Sequence, residues 1–229
     1  MKGVLADLTA VLAVAGKDLR LELRSKEIVV ATAFFAGLVV VILAFAVGPE
    51  ERALENAAAG ALWTALAFAG TVSAAQSFQG ELEDGALEPL LLYPVPRGAV
   101  FLGKLLANWT FMLALGVLLL PVTAAVFGAD VGASPGLLLL TVALGTLGFS
   151  LIATFYAALT ANLRARESLL PVLMFPIVVP VVLASVRASN SVLLLGDPTE
   201  GRGWVQLLAG FDLVYLVVCT AIFPFVVEE

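Results

Sequence analysis

Residues 28–47 read IVVATAFFAGLVVVILAFAV, twenty positions without a charge. About 20 helical residues cross a hydrocarbon core of about 30 Å, so this run predicts a helix that spans a bilayer. Working outward, five more stretches meet the same requirement: Ala57–Phe78, Leu105–Phe127, Leu137–Thr160, Ser168–Val186 and Val205–Val227. A β-barrel also satisfies every backbone group in lipid. It reads as short alternating segments of about 10 residues, and runs such as Leu137-Leu138-Leu139-Leu140 do not alternate. The expected fold class is therefore an all-α integral membrane protein with six transmembrane helices, forming one domain over residues 1–229.

Composition agrees. The chain is 61% hydrophobic and 13% charged, against about 25% charged in a soluble domain. It cannot cover itself with polar surface, so lipid is the solvent for much of it. The formal net charge of -6 carries no nucleic-acid footprint. A single cysteine, Cys219, excludes an internal disulfide, and histidine is absent altogether. That removes the commonest general base and the commonest haem ligand. An intramembrane enzyme needs a nucleophile–base pair or a set of metal ligands, and the spans supply neither.

Ahead of the first span, Val4, Leu5, Leu8, Val11, Leu12, Ala15, Leu19 and Leu23 recur at helical spacing, with Lys17, Arg20, Arg24 and Lys26 beside them. This pattern predicts an N-terminal amphipathic interfacial helix over about 4–26. A cleaved signal peptide competes, with Ala13-Val14-Ala15 as its site, but Asp7 interrupts the apolar run. Cations set the orientation. Lys2, Lys17, Arg20, Arg24, Lys26, Arg97, Lys104, Arg164 and Arg166 fall on one side, and Arg52, Arg187 and Arg202 on the other. Both termini are thus expected in the cytoplasm.

The connection after the second span is unusual. It reads Gln79-Gly80-Glu81-Leu82-Glu83-Asp84-Gly85-Ala86-Leu87-Glu88-Pro89, then Leu90-Leu91-Leu92-Tyr93-Pro94-Val95-Pro96-Arg97. It is too polar to cross a membrane and too apolar for a plain loop. Leu82, Ala86 and Leu90 make one stripe, and Pro89 and Gly85 limit any helix. One reading is a short amphipathic helix at the membrane face, with Glu81, Glu83, Asp84 and Glu88 turned to a soluble partner. The other is a solvated turn.

At this point the chain resembles the export-type ABC permeases, and among them the cytochrome c maturation protein B (CcmB) family, long called haem exporter permeases. The resemblance rests on Gly48-Pro49-Glu50, Leu62-Trp63, Glu81, Asp84-Gly85-x-Leu87-Glu88, Pro94-x-Pro96, Lys104 and Asn108-Trp109. It continues through Pro121, Leu144-Gly145-Thr146, Gly148-Phe149, Leu170-Pro171, Pro176 and Pro180. The last span, with Asp212 and the terminal Glu228-Glu229, matches less well.

The resemblance implies an export-type ABC permease fold in a bacterial cytoplasmic (inner) membrane, without an ATPase of its own. It implies a cytoplasmic ABC ATPase subunit, a second copy of this chain, a haem-handling membrane subunit, a small one-span subunit and a periplasmic haem chaperone as partners. ATP hydrolysis on the partner would drive haem export or release of the haem-loaded chaperone. Glu81, Glu83, Asp84, Gly85, Glu88, Pro94, Pro96 and Arg97 would form the ATPase-coupling segment. Haem enters as a transported or handled species and not as a resident cofactor. Two other functions share much of this pattern: a general export permease for a lipid, a drug or a polysaccharide, and a membrane assembly scaffold without transport.

Other features have two readings. Gly98-Ala99-Val100-Phe101-Leu102-Gly103-Lys104-Leu105 imitates a phosphate-binding loop, but Leu105 stands where a hydroxyl must meet magnesium. Lys104 then reads as a lysine at the lip of the third span, snorkelling to headgroups. Asp212, an acid within a span, is either an intramembrane polar site or an interfacial or protonated residue. Pro171, Pro176 and Pro180 predict a kinked helix rather than a broken one. Trp63, Trp109 and Trp204 read as interface anchors.

Overall fold

A computed structural model describes residues 2–83, 96–132, 134–161, 166–194 and 198–226. They form seven helices: α1 (Lys2–Arg24), α2 (Lys26–Val47), α3 (Glu51–Glu83), α4 (Arg97–Phe127), α5 (Pro135–Thr160), α6 (Arg166–Leu193) and α7 (Pro198–Val226). Six of them, α2 to α7, are long and apolar enough to cross a membrane. The six spans and the additional N-terminal helix follow the expectation from sequence, and the described residues hold no strand. The protein is a multi-pass membrane protein.

The ends of the helices have local causes. α2 stops at Gly48, whose φ of 92° only glycine adopts without strain, and Pro49 follows. α4 stops at Gly128 in the left-handed conformation. α5 starts with Pro135 at its first turn, where the missing N–H costs nothing. Inside α6, Pro171, Pro176 and Pro180 are all carried within one continuous helix, and the hydroxyl of Tyr215 in α7 donates to the carbonyl of Ile177 (3.2 Å).

The centre of the bundle is α3 and α5. Of their most apolar windows 72% and 61% is buried, against 17% for α2 and 22% for α7, so the latter two are peripheral. α5 packs against α3, α4, α6 and α7, and α3 against α2, α4, α5 and α6. Small residues make this possible: Ala58, Ala59, Ala61, Ala65 and Ala74 of α3 are buried, and without bulky side chains the helices approach closely. Trp63 stands among them, 2% exposed. Its Nε1–H donates to Ser189 Oγ of α6 at 3.0 Å, and a Cβ at Gly145 of α5 would collide with its ring. Trp63 is therefore a core residue and not the interface anchor its position suggests, because a membrane-buried indole finds its acceptor on a neighbouring helix. Trp109 likewise donates to the carbonyl of Ala143 at 2.9 Å.

Several helices run longer than their apolar runs. α3 continues through Glu83, so residues 79–83 extend the second span where a separate short helix was one expectation. The sequence has no proline before Pro89 to stop it. α6 runs past Arg187 to Leu193 and α7 begins at Pro198, so most of the predicted loop between Arg187 and Trp204 is helical. Its Ser189 and Ser191 are buried.

Candidate functional site

The ends of the helices where α1 sits carry a cluster of buried polar side chains. α1 lies along α4. Gly103 of α4 permits this, since a Cβ there would overlap the side chain of Val14 and the carbonyl of Val11. Val14 and Ala15 are buried at the contact, while Leu8, Leu12 and Leu21 remain exposed. The apolar surface of α1 is thus divided between the bundle and, on the membrane reading, the lipid. Such division suits a helix lying in the interface plane.

One turn beyond Val14, Asp18 meets Lys104. The lysine is fully buried, and its Nζ lies 3.2 Å from Asp18 Oδ2. It also donates to the carbonyl of Ser77 in α3 at 2.9 Å. Lys104 does not snorkel. Its four-carbon stem turns inward because an acid on α1 and a carbonyl late in α3 supply what the headgroups would otherwise supply. The phosphate-loop imitation fails for the same reason, since the ammonium is already engaged.

A second chain of contacts starts one turn further along α1. Ser73 Oγ of α3 lies 3.3 Å from Glu22 Oε1 and 3.2 Å from Asn108 Oδ1 of α4. Asn108 Nδ2 donates to Thr154 Oγ1 of α5 at 3.1 Å. A serine hydroxyl has a single proton, so it cannot donate to both oxygens at once. Burial pushes the Glu22 carboxyl up to about 7, and nearby Asp18 adds to the rise; the Ser73 hydrogen bond opposes it. With Glu22 neutral, its own O–H is available to Ser73, which leaves the Ser73 proton for Asn108 Oδ1, and Asn108 donates to Thr154. Four helices are linked in this way.

The described ends of the segment singled out from the sequence adjoin the helices that carry this cluster. Glu81 and Glu83 lie in the last turn of α3. Asp84, Gly85, Glu88 and Pro94 lie outside the described residues. Pro96 precedes α4 as its N-terminal flanking residue, and Arg97 opens the helix. Arg97 Nη1 donates to the carbonyl of Pro224 at the end of α7 (3.1 Å), capping one of the carbonyls that every helix end leaves open. Close by, the rings of Phe101 and Phe223 pack with centroids 5.0 Å apart.

Asp212 belongs to none of this. It lies midway along α7, 5% exposed. Gly148 of α5 makes room for it, because a Cβ there would overlap its Oδ1, and Val181 of α6 flanks the same spot. Neither carboxyl oxygen has a hydrogen-bond partner among the described residues. Asp212 is buried at mid-helix and does not lie at a helix end, where the interfacial reading would put it.

Of the cluster, sequence reasoning named Lys104 and Asn108 as family positions but not their partners. Asp18, Glu22, Ser73 and Thr154 went unnoticed. A signal was present: Asp18 and Glu22 lie four residues apart on the stripe of Val11, Val14 and Ala15, and acids on the buried stripe of an amphipathic helix need partners.

Comparison with known proteins gives this arrangement its context. The family model described as CcmB protein matches residues 9–228. Heme exporter protein B of Pseudomonas aeruginosa is 34% identical over 191 residues, covering 83% of this chain and 84% of its own. The protein of that name from Rhodobacter capsulatus is 36% identical over 174 residues, covering 75% and 78%. The one from Bradyrhizobium diazoefficiens is 30% identical over 214 residues, covering 92% and 94%. With a match from the end of α1 that precedes the polar cluster to the end of α7, the chain belongs to the CcmB protein family.

Proposed function

We propose that the chain is the permease subunit of a bacterial inner-membrane ABC complex for cytochrome c maturation. A cytoplasmic ATPase subunit drives it, and it acts in haem export or in release of a haem-loaded periplasmic chaperone. Its termini are cytoplasmic on the distribution of Lys and Arg. A second copy, a haem-handling membrane subunit and a small one-span subunit complete the assembly. The chain itself performs no hydrolysis. Haem is cargo or a handled species, and the chain has no histidine to hold it as an axial ligand.

The observation that carries this reading is the linkage of α1 to α3, α4 and α5 through Asp18–Lys104 and Glu22–Ser73–Asn108–Thr154. A bundle driven from outside must have a handle. A ligand shifts a two-state equilibrium only by its differential affinity for the two states, so ATP on the partner must alter contacts that the permease feels. α1, the end of α3 at Glu81 and Glu83, and the start of α4 at Pro96 and Arg97 lie at one end of the bundle, and the buried cluster ties α1 to three spans. A displacement of α1 is then a displacement of the core.

The test is charge reversal at the coupling segment. Glu81→Lys or Asp84→Lys is expected to lose the ATPase on affinity purification and to abolish assembly of c-type cytochromes, with normal membrane insertion. Variants that keep both the ATPase and full cytochrome assembly would refute the coupling role.

A further inference from the structure

We propose that the groove between α2 and α3 is a binding site for one phospholipid with a primary-amine headgroup, taken from the leaflet on the α1 side. This rests on the membrane-spanning fold alone and not on the coupling role above. The groove has a volume of about 660 Å³, within the range of small-molecule sites of about 300–1,000 Å³. Ala36 and Ala69 form a buried floor. Phe35 and Phe68 stand on either side as exposed walls.

Length fits one leaflet. The groove extends along α2 from Glu27 to Val39, twelve residues or about 18 Å of helix rise. Half of a hydrocarbon core is about 15 Å. One acyl chain of a phospholipid therefore fills the groove from its mouth to near the midplane.

Charge selects the headgroup. The two polar residues at the mouth are Glu27 and Gln76, which meet there because α2 and α3 are antiparallel neighbours. Neither side chain makes a hydrogen bond or an ion pair among the described residues. A carboxylate at headgroup depth accepts from an ammonium, and the Gln76 amide donates to the adjoining phosphate. An ethanolamine headgroup offers these two groups in that order. A glycerol headgroup offers no cation, and choline has no N–H to donate. Haem is a poorer match: the described lining has no lysine or arginine for its propionates and no histidine, methionine or cysteine for its iron.

Native mass spectrometry of the full-length chain, given equal amounts of ethanolamine, glycerol and choline phospholipids with the same acyl chains, tests the idea. One ethanolamine lipid per chain is expected to be retained, at least about fivefold over the other two, as a single charge contact at headgroup level allows. Glu27→Lys is expected to move the preference to the glycerol lipid. Ala31→Trp, at the exposed edge of the groove, is expected to lose retention of all three. A photo-crosslinker at Phe35 in native membranes reads the same site without a competing lipid mixture, and capture of an ethanolamine lipid supports the proposal. Equal retention of the three lipids overturns it, as does retention unchanged by both substitutions. Capture at Phe35 of a second copy of the chain, of haem, or of lipids in their bulk proportions also overturns it.

Discussion

Lys104 and Asp18 form an ion pair in which the ammonium is fully buried and the carboxylate keeps only 12% of its side-chain exposure, at 3.2 Å. They are the lock between α1 and the spans. Asp18 also has Lys17 at 3.2 Å, so the carboxylate keeps a counter-ion when Lys104 is removed. Removing one member of a buried pair costs about 3–5 kcal/mol, since the other is left uncompensated. Asp18→Ala is expected to reach that range in thermal unfolding in detergent, and Lys104→Met to cost less. The double variant Asp18→Leu/Lys104→Met should unfold above Asp18→Ala, since it leaves no stranded charge.

Glu22 makes the docking of α1 depend on pH. Its carboxyl is raised by burial to about 7 from an ordinary 4.5. Between those values the folded chain holds a proton that the unfolded chain releases. The stabilisation is complete below 4.5 and is lost as pH rises through about 7. Hydrogen exchange along α1 should therefore quicken from pH 5 to about pH 8 beyond the intrinsic rise. Glu22→Gln, which donates to Ser73 at any pH, should abolish that excess.

Asp212 and Gly148 should be coupled. Gly148→Ala places a methyl on the carboxyl and is expected to cost about 1–3 kcal/mol, as overpacking does. In an Asp212→Ala background the same change should cost less, and a double-mutant cycle on unfolding midpoints measures the difference. Asp212→Ala alone removes a buried carboxyl that has no hydrogen-bond partner among the described residues, so stability should hold or rise. Loss of cytochrome assembly in that stable variant would mark the carboxyl as a working group of the permease.

Arg97→Gln tests the contact between the start of α4 and the end of α7. The guanidinium donates to the Pro224 carbonyl, and its loss should cost about 1 kcal/mol. Exchange should quicken in the last turn of α7 and stay unchanged around Asp212, because a lost cap frays a helix end without disturbing its middle.

The spans were legible because the bilayer leaves a chain no choice: an uncharged run such as 28–47 must satisfy its own backbone, and only a helix of that length does so. α1 was legible from the spacing of Val4 to Leu23. Lys104 was misread because a lysine at the lip of a span has a cheap solution in the headgroups, and its better one lies 86 positions away on Asp18. Trp63 was misread for a related reason. Its ring belongs to the core because Gly145 leaves space and Ser189 offers an acceptor, and these are 82 and 126 positions distant. Asp212 was visible as an acid in an apolar run, yet its burial depended on Gly148, a residue with nothing to announce its purpose.

Cys219, the one thiol in the chain, is buried on the inner side of α7. Maleimides in the surrounding water cannot readily reach it. The natural protein is thus already a blank background for site-directed labelling: a cysteine placed at Glu51 or in the 84–95 stretch becomes the sole reporter of which compartment it faces. The sidedness inferred from Lys and Arg can be settled on an otherwise unaltered chain.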